Sequence, residues 1–424
     1  MSFPKGFLIG AATAAHQVEG NNANSDYWAQ EHMEYSSFAE PSGIACDHYN
    51  RYEEDIRLLA DAGLNAYRFS IEWARVEPQP GVFDETQIDH YRKVLECCHK
   101  YGVEPIVTMH HFSSPKWLIE QGGWENEETV RKFARYCRYV ILKLGHLMHY
   151  ICTINEANMG IQIAAISKRY MQMMQKNQNA ESAVQVGINL ENPFMERMKK
   201  QAAEHMKLFG TPQPQVFVSG RTSEGDLNVI RAHMAARKAM KSVKPDLKVG
   251  ITLSLHDIQP VPGGEVEAER EWNEEFLHYL PYIKDDDFFG LQNYTRTLMG
   301  ADGSLPVPEG AETTQMGYEF YPQALGKVIR TVHKSLNIPI IVTENGIATA
   351  DDARRVAFIE EAIDGVEGCI ADGIPVLGYC YWSLLDNFEW QKGYSMTFGL
   401  IGVDRKTQKR APKESLKVLG SYTA

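Results

Sequence analysis

Residues 150–158 read YICTINEAN. The opening run YICTI has the aromatic and β-branched composition of a buried strand. It then ends in an amide and a carboxylate side by side, Asn155 and Glu156. PIIVTENG at 339–346 ends the same way with the order reversed, Glu344 and then Asn345. Two apolar strands that finish in functional side chains call for a fold whose strand ends converge.

Similar runs recur along the chain. GFLIGAA (6–12), AYRFSI (66–71), EPIVTM (104–109) and YICTIN (150–155) come first, followed by KVGITLS (248–254), DFFGLQNY (287–294), PIIVTEN (339–345) and VLGYCYWS (376–383). Amphipathic helical patterns separate most of them. Tyr52, Ile56, Leu59 and Ala60 share one face, with Gly63 at the C-terminal end. Ile88, Tyr91, Leu95 and Cys98 form another stripe, opened by a capping box at Asp84 and Gln87 and closed by Gly102. Val130, Phe133, Cys137 and Ile141 form a third, begun by Asn126. Alternation of strand and helix predicts a parallel sheet. Eight such units predict an α/β fold of one closed (β/α)8 TIM barrel. A doubly wound open sheet would carry a glycine-rich turn after its first strand, and GAATAAHQ is not GxGxxG.

Length alone gives a prior of roughly two or three domains, which single barrels routinely exceed. No linker, repeat or low-complexity tract interrupts the chain, so residues 1–424 are expected to form a single domain. The stretch from 157 to about 245 is longer than one helix needs; its Met-rich segments KRYMQMMQKNQN and NPFMERMKKQAAEHMKLFG predict two packed helices rather than a Met-lined gate. Hydrophobic residues make up 44% and charged residues 23%, ordinary values for a globular protein. The formal net charge of −12 argues against nucleic acid and anionic membranes as partners and suits a small neutral ligand. No apolar run is long enough for a membrane span, and the N-terminus soon carries His16, Gln17 and Glu19, so no signal peptide is expected. Seven cysteines without paired spacing indicate a reducing, cytoplasmic setting. The sequence leaves the oligomeric state open.

Barrel sites lie at the C-terminal ends of the strands. There stand Gln17, Arg68, His110 and His111, Asn155 and Glu156, Gln292 to Tyr294, Glu344 and Asn345, and Trp382. Taken singly, a strand-end Glu is ordinarily a helix cap and a lone Trp is core. Their convergence on one rim points to chemistry. Two carboxyls across a barrel mouth, with amides, imidazoles and indoles around them, fit glycosidic hydrolysis. Adjacent His110 and His111 point to opposite faces of a strand and make a poor metal pair. No GxSxG elbow or P-loop is present.

The long motifs FPKGFLIGAATAAHQVEG, YRFSIEWARVEP, TINEAN, VTENG and YWSLLDNFEW occur in this order and span nearly the whole chain. Together they resemble glycoside hydrolase family 1, the β-glucosidase family of retaining enzymes. The resemblance implies that Glu156 is the general acid/base and Glu344 the nucleophile. It further implies that Asn155 holds the sugar 2-hydroxyl, and that Gln17, His111 and Trp390 bind the 3- and 4-hydroxyls. Glu389 would take the 4- and 6-hydroxyls, Trp382 would be the sugar platform, and Phe398 would lie near the 6-hydroxyl. Arg68 and Tyr294 would flank the nucleophile, with Arg68 keeping it ionised. No metal or cofactor is implied, and the two carboxyls are expected about 5–5.5 Å apart.

Family relatives that act on 6-phosphorylated sugars have Ser at the position of Glu389. A carboxylate there favours an unphosphorylated β-glucoside, with β-galactosides and β-fucosides as companions; a 6-phospho-β-glycosidase or a non-catalytic sugar-binding barrel are the alternatives. Ala157, Phe112, Gln292 and Asn293 depart from the family pattern of Pro, Trp, Asn and Tyr. Ala157 in place of Pro predicts a small loss of rigidity after the acid/base.

Overall fold

The computed structural model describes residues 3–168 and 193–423. Its main sheet is built from β1 (Leu8–Ala12), β2 (Ala66–Ser70), β3 (Glu104–His110), β4 (Tyr150–Ile154), β5 in two runs (Lys248–Gly250 and Thr252–Ser254), β6 (Phe289–Gln292), β7 (Ile340–Asn345) and β8 (Val376–Trp382). Neighbouring strands run parallel, and β8 pairs with β1. The barrel closes through β5. Its first run pairs with β4 (Cys152 opposite Gly250), and its second pairs with β6 (Thr252 opposite Gly290). Ile251 is the break, and its carbonyl still accepts from Gly290 N at 2.9 Å.

The strands are followed in turn by α1 (His48–Asp61), α2 (Glu85–Lys100), α3 (Glu128–Leu144), α4 (Ser223–Lys241), α5 (Glu265–Glu275), α6 (Ala324–Ser335), α7 (Asp352–Ala371) and α8 (Glu414–Gly420). The expected stripes are the buried faces: Ile56 and Leu59 in α1, Ile88, Tyr91, Leu95 and Cys98 in α2, Phe133, Cys137 and Ile141 in α3. Gly63 and Gly102 follow the first two helices at φ +98° and +71°, a conformation that side chains with a Cβ rarely adopt. Asp84 caps α2 by accepting from Thr86 N at 2.8 Å. The capping box is not completed as expected, because the Gln87 side-chain oxygen instead accepts the Tyr49 hydroxyl at 3.0 Å. Asn126 caps α3 through Glu128 N at 3.0 Å.

Of the long stretch after β4, KRYMQMMQKNQN lies almost entirely outside the described residues, while Pro193–Phe209 forms a helix as expected. No helix among the described residues is long and apolar enough to cross a membrane. A small side sheet stands beyond β5 and β6. In it Asp257–Pro260 runs parallel to Arg296–Gly300, which pairs antiparallel with Gly303–Ser304. This hairpin was not anticipated; the dipeptide Asp302-Gly303 is the turn signal that marks it.

Candidate active site

The strand ends open into one cavity of about 670 Å³ lined by His111, Asn155, Glu156, Tyr294, Glu344, Trp382, Glu389, Trp390 and Phe398. Nine of the eleven anticipated residues therefore share one mouth, and the other two, Gln17 and Arg68, are fully buried against it. β2 carries Arg68 inward, where Nη1 donates to Glu344 Oε1 at 2.6 Å and Nη2 donates to Asn155 Oδ1 at 2.6 Å. Tyr294 donates its hydroxyl to Glu344 Oε2 at 2.6 Å. Both oxygens of Glu344 are thus held.

Asn155 Oδ1 also accepts from Gln292 Nε2 at 2.8 Å. Two donors on that atom fix the orientation of the amide. Its Nδ2 is buried without a partner in the protein, as are Gln292 Oε1, Gln17 Oε1 and His111 Nδ1. Gln17 spends its amide donor on Phe388 O at 2.8 Å and reaches Glu389 Oε2 at 3.3 Å. Buried polar atoms are normally paired, so this half of the mouth presents hydrogen-bonding capacity to a polyhydroxylated ligand. His111 and Trp382 lie near-parallel with ring centres 5.5 Å apart, and Trp390 stacks on His16 at 5.9 Å.

The sequence position of His110 places it at the rim, but β3 turns it away from the cavity. It bonds Ser114 Oγ at 2.9 Å and packs edge-on to Trp124 at 4.8 Å. Burial and the Arg221 guanidinium hold its imidazole neutral, at about 3. Burial and Arg68 likewise push His111 well below the usual histidine range, so it meets a ligand uncharged.

The turn after β4 explains the rest of TINEAN. Glu156 has φ +43° and donates its main-chain N–H to Thr252 Oγ1 at 3.0 Å. Ala157 N donates to Thr252 O at 3.0 Å. A proline could not make that bond, so the looser turn expected from Ala157 is corrected: the alanine pins the turn to β5. Asn158 completes the seam. Its amide donates to Ser254 O at 2.7 Å and accepts from Ser254 N at 3.0 Å.

The two carboxyls have unequal surroundings. Burial raises Glu156 to about 8, reinforced by the nearby Glu344 and opposed by Ser254, Arg68 and His256. Burial also lifts Glu344, against the pull of Arg68, Tyr294 and Gln292. Arg68 therefore acts in the expected direction, but burial outweighs it. Direct contact with a guanidinium and a phenol still makes Glu344 the first of the two to ionise. Burial and Glu344 raise Glu389 to about 8.

Two residues at this mouth carried no sequence signal. His256 lines the cavity beside Ser254, and its Nδ1 bonds Glu275 Oε1 at 2.8 Å. Burial works against its charge, but Glu275, Glu271 and Glu156 outweigh burial and raise it to about 9. Tyr318 also lines the cavity, with a buried hydroxyl that has no partner in the protein.

The profile of glycosyl hydrolase family 1 matches residues 1–303 and 284–423. The chain belongs to glycosyl hydrolase family 1. Among family 1 proteins, a bifunctional β-D-glucosidase/β-D-fucosidase of Bifidobacterium breve is 30% identical over 445 residues, covering 98% of this chain and 96% of that one. A crystallised β-glycosidase superposes with a TM-score of 0.88 at 47% identity, covering 99% of this chain and 97% of the other. The β-glucosidase from Thermotoga maritima in complex with glucoimidazole superposes with a TM-score of 0.81 at 26% identity, covering 99% and 98%. Family 1 is hydrolytic, and this member is an enzyme of that class: a glycoside hydrolase on a (β/α)8 barrel.

Proposed function

We propose that residues 1–424 form a single catalytic barrel, a retaining exo-acting β-glycosidase of β-D-glucosides that also accepts β-galactosides and β-fucosides. The supporting observation is the unequal setting of two carboxyls in one cavity. Glu344, held by Arg68 and Tyr294, is the nucleophile. Glu156, kept protonated by burial, is the acid. Glu344 attacks the anomeric carbon as Glu156 gives its proton to the leaving oxygen, and a glycosyl ester forms. The ester carries no charge, so Glu156 loses the electrostatic reason to stay protonated next to Glu344. Now a carboxylate, it takes a proton from water, which attacks the anomeric carbon and frees Glu344. Neither step calls for a cofactor.

Asn155 Nδ2, directed by Arg68 and Gln292, would donate to the 2-hydroxyl. Gln17, His111, Glu389 and Trp390 would take the hydroxyls across the ring, with Phe398 near the 6-hydroxyl and Trp382 as the platform. Against a 6-phosphate, the repulsion first expected from Glu389 is weakened by its raised pKa. A stronger argument is that Lys392 does not line the cavity, and Arg296, the Arg among the described lining residues, is already bound to Glu319 through two nitrogens. Seven buried free thiols support a cytoplasmic setting.

A panel of aryl β-glycosides tests this reading. Glu344→Gly should abolish hydrolysis, and azide should restore turnover with an inverted product. Normal activity of that variant would refute the assigned nucleophile. Turnover of 6-phosphoglycosides alone would favour the phosphoglycosidase reading, and sugar binding without turnover would favour a non-catalytic barrel.

A further inference from the structure

The mouth has two unlike halves. The ends of β8, β1, β2 and β3 bring Glu389, Trp390, Gln17, Arg68 and His111, and the buried atoms Gln17 Oε1 and His111 Nδ1 there have no partner in the protein. Asn155 Nδ2, at the floor, is likewise unpartnered. The half above β5 and β6 is built differently. The side sheet rises there, and the cavity is lined by Leu298, Leu305, Pro306, Val307 and Pro308, with Met159 from the turn after Glu156. Leu305 is 43% exposed, and its N–H donates to Leu298 O at 2.8 Å, so the two residues stand together on the hairpin.

The charged groups beside this aliphatic surface are already engaged. Arg296 is bound to Glu319 through two nitrogens, each at 2.8 Å, and to Gln259 at 3.0 Å, while its guanidinium covers the Tyr321 ring at 4.1 Å. His256 is bound to Glu275. A second sugar ring would have to compete with Glu275 for His256 and with Glu319 for Arg296, whereas an apolar group would cover exposed aliphatic surface.

We infer that Leu298, Leu305 and Val307 form an aliphatic wall that selects β-glycosides with an extended apolar leaving group over those whose leaving group is another sugar. This rests on the assignment of Glu156 as the acid, because that places the leaving oxygen on the β4 side, next to the wall. A sugar fills the polar half, and its leaving group extends along the hairpin. Burying each further methylene on such a surface is worth about a threefold gain in kcat/KM, until the chain outruns the wall.

The experiment compares kcat/KM for methyl, butyl and hexyl β-D-glucoside and for cellobiose, using the full chain. The expected hexyl-to-methyl ratio is about tenfold or more, with cellobiose below hexyl glucoside. Leu305→Asp and, separately, Val307→Ser should flatten the chain-length dependence, with each variant's own methyl glucoside rate as its reference. A wild-type ratio near one, or a preference for cellobiose, overturns the inference even if a variant fails to fold. No turnover of any β-glucoside would instead overturn the proposed function on which it rests.

Discussion

Arg68 joins Glu344 to Asn155: one nitrogen of the guanidinium donates to each, both at 2.6 Å, from a side chain with no exposed surface. A lysine is a point charge and cannot reproduce that fork. Arg68→Lys should lower kcat/KM for an aryl β-glucoside by about 10²-fold or more. The acidic limb of the pH profile should move upward, because an ammonium on a shorter side chain would hold its charge less closely against Glu344 than the guanidinium does. Activity within about threefold of wild type, with an unmoved limb, would show that the fork does not control the nucleophile.

The pH profile of kcat/KM should be bell-shaped. It rises as Glu344 ionises and falls as Glu156 loses its proton, near the value of about 8 to which burial raises it. The charged His256 holds Glu156 below where burial and Glu344 would otherwise put it. His256→Leu removes that cation, so the basic limb should move to higher pH. The groups facing Glu156 are Glu344, Arg68, Ser254, Tyr294 and His256, and only the last is changed. A basic limb that stays in place or falls would contradict the role given to His256.

Ala157→Pro removes the N–H that donates to Thr252 O and leaves that buried carbonyl short of a donor. A cost of about 1–3 kcal/mol is expected, measurable by denaturant unfolding. Restoring the residue typical of the family should therefore destabilise this chain. Equal or greater stability would mean that the bond to β5 contributes little.

Asn155→Ala should reduce turnover of glucosides far more than of 2-deoxyglucosides. The amide's free donor is the group assigned to the 2-hydroxyl, and a substrate lacking that hydroxyl has less to lose. Comparing kcat/KM for the two substrates in variant and wild type separates this from a general disturbance around Arg68 and Gln292. Equal losses on both substrates would place the 2-hydroxyl elsewhere.

The barrel and most of its mouth were legible because their signals are local. Each strand announced itself by composition, and the functional residues sit at strand ends, where periodicity gives way to polarity. Alternation along β3 separates His110 from His111, although only the coordinates show which one enters the cavity. Other features depend on contacts distant in sequence. His256 meets Glu275, 19 positions further along the chain, with no motif linking them. The raised pKa of Glu344 arises from burial, which outweighs its pairing with Arg68 and which a strand sequence does not quantify. The break at Ile251 was hidden inside KVGITLS, whose composition reads as one continuous strand.

That break has a kinetic consequence. Thr252 opens the run that meets β6, and the same residue fixes the main-chain nitrogens of both Glu156 and Ala157. The acid is therefore held in place only once β5 has met β4 and β6. During refolding, circular dichroism reports every helix and strand pair as it forms, whereas hydrolysis should return only with this one seam. Enzymatic activity then serves as a reporter of β5 docking, and a chain with much of its other secondary structure should remain silent until that strand is seated.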